Sequence, residues 1–151
     1  MPLLDLHHVA IKSKDLKATE KFYTKVLGMK KVARPEFPFP GIWLEMGETM
    51  FHIYGGSAAQ THAGDYKYDQ GVAPVDHVAL RAKGFDKMKE VCKKHRCTWR
   101  QNDIKDFKLW QLFVQDPGGV IVELNFDATK EPRGSKGPTS RNQFDAGRPF
   151  Q

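Results

Sequence analysis

Cysteine is scarce in this chain, since Cys92 and Cys97 are its only two among 151 residues. The four residues between them are charged or titratable, and the pair forms neither a disulfide framework nor a Cys-x-x-Cys redox motif. A second Cys/His pair at the spacing of a zinc finger is also missing. The sequence therefore excludes both a disulfide-stapled secreted domain and a zinc finger.

Long hydrophobic runs are absent as well. No apolar stretch approaches the roughly 20 residues that cross a bilayer. Residues 1–5 show neither the basic start nor the apolar stretch of a signal peptide. We therefore expect a cytoplasmic protein with no membrane partner.

The charge balance is mildly basic, with 24 Lys and Arg against 18 Asp and Glu and a net charge of +6. The basic residues are scattered, and carboxylates lie between them, as on a solvated helix face. This distribution predicts no nucleic-acid partner and a mild attraction for small anionic molecules.

An internal repeat is the most informative feature of the sequence. His8-Val9-Ala10 returns 69 residues later as His77-Val78-Ala79. An amphipathic helical pattern and then three short extended stretches follow each copy, and Gly28 is placed to end the first helix. Both halves therefore have the predicted element order βαβββ, which indicates a duplicated module of the α+β class.

The repeat sets the expected domain organisation. We predict a single domain over residues 1–126, built from modules 5–56 and 75–126 and joined by a linker at 57–74. The linker is long for a compact domain, which suggests a lid or a dimer contact. Residues 127–151 have scattered Gly and Pro without periodicity and are expected to form an irregular tail.

Strand alternation assigns side chains to faces, because successive residues point to opposite sides of a sheet. The apolar members of the first and last strands of each module are expected beneath the helix. Aligning the turn glycines Gly47 and Gly118 then places His52 and Glu123 at equivalent positions. Four candidate metal ligands occupy two pairs of matching positions on the helix-free face: His8, His52, His77 and Glu123.

These residues and several motifs around them resemble a known family. The motifs are His8-Val9-Ala10-Ile11, Phe22-Tyr23, Leu27-Gly28-Met29 and the run from Asp116 to Leu124. They are similar to the vicinal oxygen chelate superfamily, which includes glyoxalase I, extradiol dioxygenases and bleomycin resistance proteins. The resemblance implies two βαβββ modules in a U-shaped, barrel-like mixed sheet with helices on the outside, and a homodimer.

The resemblance also implies a divalent metal ion held by His8, His52, His77 and Glu123. Imidazole and carboxylate ligands suit Fe, Mn, Ni, Co and Zn alike. With four protein ligands we expect a glyoxalase-like lyase or isomerase that moves a proton next to the carbonyl of a small oxygenated substrate, with Glu123 and His52 as catalytic residues.

Two alternatives stay open. If His52 is not a ligand, the remaining two histidines and one carboxylate match the facial triad of an Fe(II) extradiol-type dioxygenase. The other alternative is a non-catalytic protein that binds or sequesters a small molecule. Glutathione is not expected as co-substrate, because Lys12 stands where glyoxalases of the nickel or zinc type carry an arginine.

Substrate contacts are predicted from proximity alone. Tyr54 lies two residues beyond His52 on the same face, and other residues lie in strands that should border the cleft. The candidates for substrate contact are Tyr54, Trp43, Lys108 and Trp110, with Glu45 in the same strand as Trp43.

Overall fold

The computed structural model describes residues 6–59 and 77–145. The chain divides into two compact units, Met1–Lys67 and Tyr68–Gln151. Most of the predicted linker, from residue 60 to 74, lies outside the described residues. None of the described helices is both long and apolar enough to cross a membrane.

The first unit is a four-stranded mixed sheet with one helical segment. Its strands lie in the order β1-β4-β3-β2; β1 and β4 are parallel, and the other neighbours are antiparallel. The elements are β1 (His8–Lys12), α1 (Leu16–Lys21), a π-helical turn (Phe22–Val26), β2 (Lys30–Val32), β3 (Gly41–Met46), β4 (Thr49–Tyr54) and a 3₁₀ turn (Gly56–Ala59).

The second unit repeats this topology, with the order β5-β8-β7-β6. Its elements are β5 (His77–Ala82), α2 (Phe85–Lys94), β6 (Trp99–Ile104), a 3₁₀ turn (Lys105–Phe107), β7 (Leu109–Gln115) and β8 (Ile121–Asp127). The predicted α+β class and the duplicated βαβββ module are confirmed. The strands form two separate four-stranded sheets, and neither is closed into a barrel.

The core of the first unit lies between its helical segment and one face of its sheet. Phe51 and Ile53 are fully buried on that face, as alternation predicts, and the ring of Tyr23 lies 5.7 Å from the ring of Phe51. The helix begins at Asp15, whose carboxylate accepts a hydrogen bond from the backbone N–H of Ala18. The helix-free face is thus left for polar side chains.

The core of the second unit follows the same rule. Val122, Leu124 and Phe126 alternate onto the buried face, where the ring of Phe126 makes an edge contact with Phe85 of α2. Cys92 of the same helix is fully buried. Equivalent strand residues of the two modules therefore pack in the same way against the helix of their own unit.

Residues 128–145 pack against the second unit, although the sequence suggested only an irregular tail. The carboxylate of Glu131 accepts hydrogen bonds from the backbone N–H groups of Gly84 and Phe85 at the start of α2. The buried side chain of Gln101 donates to the hydroxyl of Thr139 and to the carbonyl of Arg141. Contacts of single residues, polar ones and the stacking of Phe144 on Phe113, hold this segment, which explains why it shows no periodicity.

Candidate functional site

The helix-free face of the first unit carries a stack of three aromatic rings. Ala10 and Trp43 both pair with His52 in the strand register, and His8 is two residues before Ala10, so all of these side chains share one face. The ring of His52 stacks on His8 at 4.2 Å and on Trp43 at 4.3 Å. Because β4 lies between β1 and β3, His52 is held between the other two rings.

His52 has the chemistry of a metal ligand. It is 8% exposed, and its Nε2 atom has no hydrogen-bond partner within the part of the chain that the structure describes. Burial lowers the pKa of His52, and the nearby His8, His7 and Arg34 lower it further. Its imidazole is therefore neutral at pH 7 and offers an unused nitrogen.

The stacking limits how His8 and His52 can act together. An imidazole binds a metal through a lone pair in its own plane, so the ion must lie in the plane of each ligand ring. The two rings are nearly parallel, at 19°, and cannot both direct a nitrogen at one ion in this arrangement. His8 is exposed and, among the described residues, is held by the contact of its Nδ1 atom with Nδ1 of His7 at 2.9 Å and by the stack itself, whereas His52 is buried, so His8 is the ring that can turn more easily.

The second unit presents a histidine and a carboxylate at the equivalent positions. Ala79 pairs with Glu123, and His77 is two residues before Ala79 on the same face. The Nε2 atom of His77 lies 2.7 Å from the Oε2 atom of Glu123. Two ligands bound at about 2.1 Å to one ion, at a right angle, would lie about 3 Å apart, so this spacing suits a shared ion.

Gln111 holds the other oxygen of Glu123 and was not predicted from the sequence. Its side-chain amide donates to Oε1 of Glu123 at 2.5 Å and to the side-chain oxygen of Asn125 at 3.3 Å. Glu123 is 6% exposed, so its orientation is fixed by these partners. The sequence signal was weak, because a single glutamine in a strand forms no pattern.

An aromatic pair borders this half of the site. Phe113 lies directly opposite Glu123 in the register and makes an edge contact with the ring of His77 at 6.0 Å. Phe144, from the C-terminal segment, stacks on Phe113 at 3.8 Å. The C-terminal segment, for which the sequence predicts no role, thus reaches the face that carries Glu123.

Two of the predicted substrate contacts lie on the helix-free face of the first unit. Trp43 stacks on His52, and Tyr54 is two residues beyond His52 on the same face. Tyr54 also meets the ring of Phe39 at 5.2 Å. Glu45 shares this face but forms an exposed ion pair with Lys30.

The predictions for Trp110 and Lys108 are wrong. Trp110 pairs with Phe126, which places it on the helix side, where its ring packs against Phe85. Lys108 is exposed and ends the 3₁₀ turn with a φ of 49°, so it does not lie in a strand. The face of Trp110 is set by the pairing register of β7 with β8, which the sequence alone does not show.

The candidate ligands are imidazole nitrogens and a carboxylate, which are groups that bind divalent metal ions. Each unit contributes two of them, a pair of histidines in the first and a histidine with a buried carboxylate in the second. In residues 6–59 and 77–145, no three His, Cys, Asp or Glu side chains are grouped as a metal site. The structure therefore describes two candidate donors in each unit.

Comparison with known proteins gives a family match and named relatives. Residues 5–124 match the model of the Glyoxalase/Bleomycin resistance protein/Dioxygenase superfamily. Lactoylglutathione lyase of Escherichia coli O157:H7 is 31% identical over 131 residues, which cover 79% of this chain and 90% of that protein. The protein of the same name from Shigella flexneri matches equally well.

Solved structures share the fold. The glyoxalase/dioxygenase from Nostoc punctiforme superposes with a TM-score of 0.68 at 18% identity, over 83% of this chain and 92% of that one. The lactoylglutathione lyase from Agrobacterium tumefaciens gives 0.62 at 19% identity, over 86% and 98%.

Proposed function

Because the chain belongs to the Glyoxalase/Bleomycin resistance protein/Dioxygenase superfamily, we propose that it is a divalent-metal-dependent lyase or isomerase. It would move a proton next to the carbonyl of a small oxygenated substrate. The observation that carries the proposal is the buried carboxylate of Glu123, held between His77 and Gln111. The named relatives support the lyase class.

The metal ligands that we propose are His8, His52, His77 and Glu123. Fe, Mn, Ni, Co and Zn all accept imidazole and carboxylate ligands. Such an ion, when bound, polarises a carbonyl oxygen as a Lewis acid.

Glu123 is the proposed base. Its Oε1 atom accepts a hydrogen bond from the amide of Gln111, so Oε2, whose partner is Nε2 of His77, is the atom that would accept a proton. A carboxylate held in one orientation needs little reorganisation before it acts. His52 is the second candidate for proton transfer, because its buried imidazole is neutral and has an unused nitrogen.

Metal affinity of single variants tests the ligand set. We expect His8→Ala, His52→Ala, His77→Ala and Glu123→Ala each to weaken affinity by at least about 100-fold, since each removes a direct ligand. His95→Ala is the matched control, because His95 caps the C-terminal end of α2 and does not lie on a strand. Chelator competition gives the affinities, and unchanged values in the four variants would reject the ligand set.

The parallel stacking of His8 and His52 favours a second candidate. If His52 stays between its two neighbours and does not bind metal, the set that remains is two histidines and one carboxylate. That set is typical of non-haem Fe(II) oxygenases, so the second candidate is a ring-cleavage dioxygenase.

Two measurements separate the candidates. The lyase or isomerase predicts proton transfer next to a carbonyl without oxygen uptake, and metal loss in His52→Ala. The dioxygenase predicts oxygen uptake with catechol and Fe(II), and retained metal in His52→Ala.

A further inference from the structure

The segment between β2 and β3 carries an arginine without an acidic partner. Within the described residues, Arg34 makes no ion pair with any carboxylate. Its guanidinium donates to the backbone carbonyl of Phe39 at 2.9 Å and to that of Pro35 at 3.4 Å. Backbone carbonyls fix the group in place but leave its positive charge uncompensated.

Two aromatic rings also hold this guanidinium. Its Cζ atom lies 4.7 Å from the ring centre of Phe37 and 5.0 Å from that of Phe39. Cation–π contacts of this kind position an arginine while its remaining N–H groups stay available. Arg34 is therefore oriented before any ligand arrives.

Gly41 shows which face of the sheet Arg34 covers. A Cβ atom added at Gly41 would lie 3.3 Å from Nε and 3.4 Å from Nη2 of Arg34. Gly41 pairs with Tyr54 and is two residues before Trp43, so that Cβ would point to the face that carries His52. The guanidinium therefore occupies space on the candidate functional face, next to a glycine whose Cβ would also lie 2.6 Å from the backbone oxygen of Ile53.

The surroundings of Arg34 define the chemistry of its ligand. A guanidinium with free N–H groups binds carboxylate or phosphate oxygens in a forked geometry. The ring of Phe37, which contacts the guanidinium, lies 6.2 Å from the ring of Trp43, which stacks on His52, and these rings would accept a planar or apolar group. A small organic anion satisfies both requirements.

We propose that Arg34 binds the oxyanion of the substrate, so that the enzyme acts on small organic molecules that carry a carboxylate or a phosphate. This inference rests on the proposed function, because it names the substrate class of the same site. Arg34 is then a determinant of substrate specificity.

Three probes with the same phenyl group test the inference: benzoate, phenyl phosphate and the neutral benzamide. Titrations followed by the NMR signals of the Arg34 side-chain Nε–H and the Gly41 amide give a Kd for each. We expect benzoate or phenyl phosphate to bind at least about tenfold more tightly than benzamide, as a charge-assisted hydrogen bond provides. The tighter of the two anions identifies the oxyanion as carboxylate or phosphate.

Variants assign the effect to Arg34. Arg34→Gln should lose at least about tenfold in affinity for the better anion, and Arg34→Lys should fall between it and the wild type. Arg133→Gln is the matched control, because it removes the same charge from an exposed residue of the second unit. Equal affinity for benzamide, or unchanged anion affinity in Arg34→Gln, would overturn the inference.

Metal content, measured on the same samples, separates this inference from the proposed function. Arg34→Gln should retain the metal of the wild type. Anion binding that depends on Arg34 in a protein unable to take up metal would support the inference and reject the proposed function. Normal metal uptake, with no loss of anion affinity in Arg34→Gln, would reject the inference and support the proposed function. If Arg34→Gln does not fold, the wild-type titration still tests the inference. The Arg34 Nε–H signal should shift when the anion is added, and an unchanged signal would overturn the inference.

Discussion

At the scale of single residues, the donor pairs of the two units differ in how their polar atoms are satisfied. Both oxygens of Glu123 have partners, whereas Nε2 of the buried His52 has none among the described residues. A buried polar atom without a partner costs free energy unless a ligand uses it. We therefore infer that a ligand bound at Nε2 of His52 would remove the cost of burying this atom without a partner.

Gln111 allows a test of how Glu123 is positioned. Gln111→Leu removes the donor to Oε1, so the carboxylate should turn more freely and bind metal about 10- to 100-fold more weakly. Gln115→Leu is the control, since Gln115 shares the strand and face but lies opposite Ile121. Chelator competition measures both variants, and equal affinities would show that Gln111 does not position Glu123.

Cys92 should make stability depend on pH in the alkaline range. Burial raises the pKa of its thiol from 9.0 to about 12, and the adjacent Cys97 adds to this. Below pH 9 the thiol is protonated in both the folded and the unfolded state, so it contributes no pH dependence. Between pH 9 and 12 only the unfolded state releases the proton, so the free energy of unfolding falls by up to about 1.4 kcal/mol per pH unit.

Urea denaturation at several pH values between 8 and 10.5 measures this slope. Cys92→Ala should show a shallower decline than the wild type above pH 9, whatever its stability at neutral pH. If the free energy of unfolding falls equally with pH in Cys92→Ala and the wild type, the folded protein does not hold the thiol neutral.

At the scale of elements, the C-terminal segment contributes to the second unit. Gly137 has a φ of +67°, and a Cβ atom there would lie 2.6 Å from the ring of Trp110. That ring is packed against Phe85 and cannot move away without disturbing the core. The close approach explains why a glycine occupies this position.

Gly137→Ala should destabilise the protein by about 2 to 4 kcal/mol, from overpacking and left-handed backbone strain together. Gly134→Ala separates the two effects, because Gly134 also has a positive φ, +88°, but its Cβ would meet no atom within 4 Å. We expect the control to cost about 1 kcal/mol. Equal losses in urea denaturation would show that Trp110 does not confine residue 137.

Strands were more predictable than the contacts made by loops. Alternation with period two assigned His8, His52, His77 and Glu123 to the helix-free rows, because those strands are half-buried and the pattern is local. The face of Trp110 depends on pairing with another strand, which local pattern does not reveal. The position of Arg34 depends on how Phe37 and Phe39 fold back, and no sequence period encodes that.

The first helix shows a similar limit. The sequence predicts one continuous helix, whereas α1 passes into a π-helical turn at Phe22. Phe22, Tyr23 and Val26 can be buried in an α-helix or in a π-helical turn, so hydrophobic spacing cannot distinguish the two.

At the scale of the whole molecule, duplication has produced two modules with one topology and different chemistry. The equivalent positions hold a stacked pair of histidines in one module and a histidine with a carboxylate in the other. A duplicated scaffold thus supplies donors of two kinds while the core residues keep the same roles. The predicted homodimer stays a prediction.

X-ray absorption spectroscopy of the metal-loaded protein shows whether the four proposed ligands bind one ion. We expect about one ion per chain, coordinated by three imidazoles and one carboxylate, with one imidazole lost in His52→Ala. A protein that takes up none of Fe, Mn, Ni, Co or Zn, or an ion without imidazole ligands, would contradict this expectation.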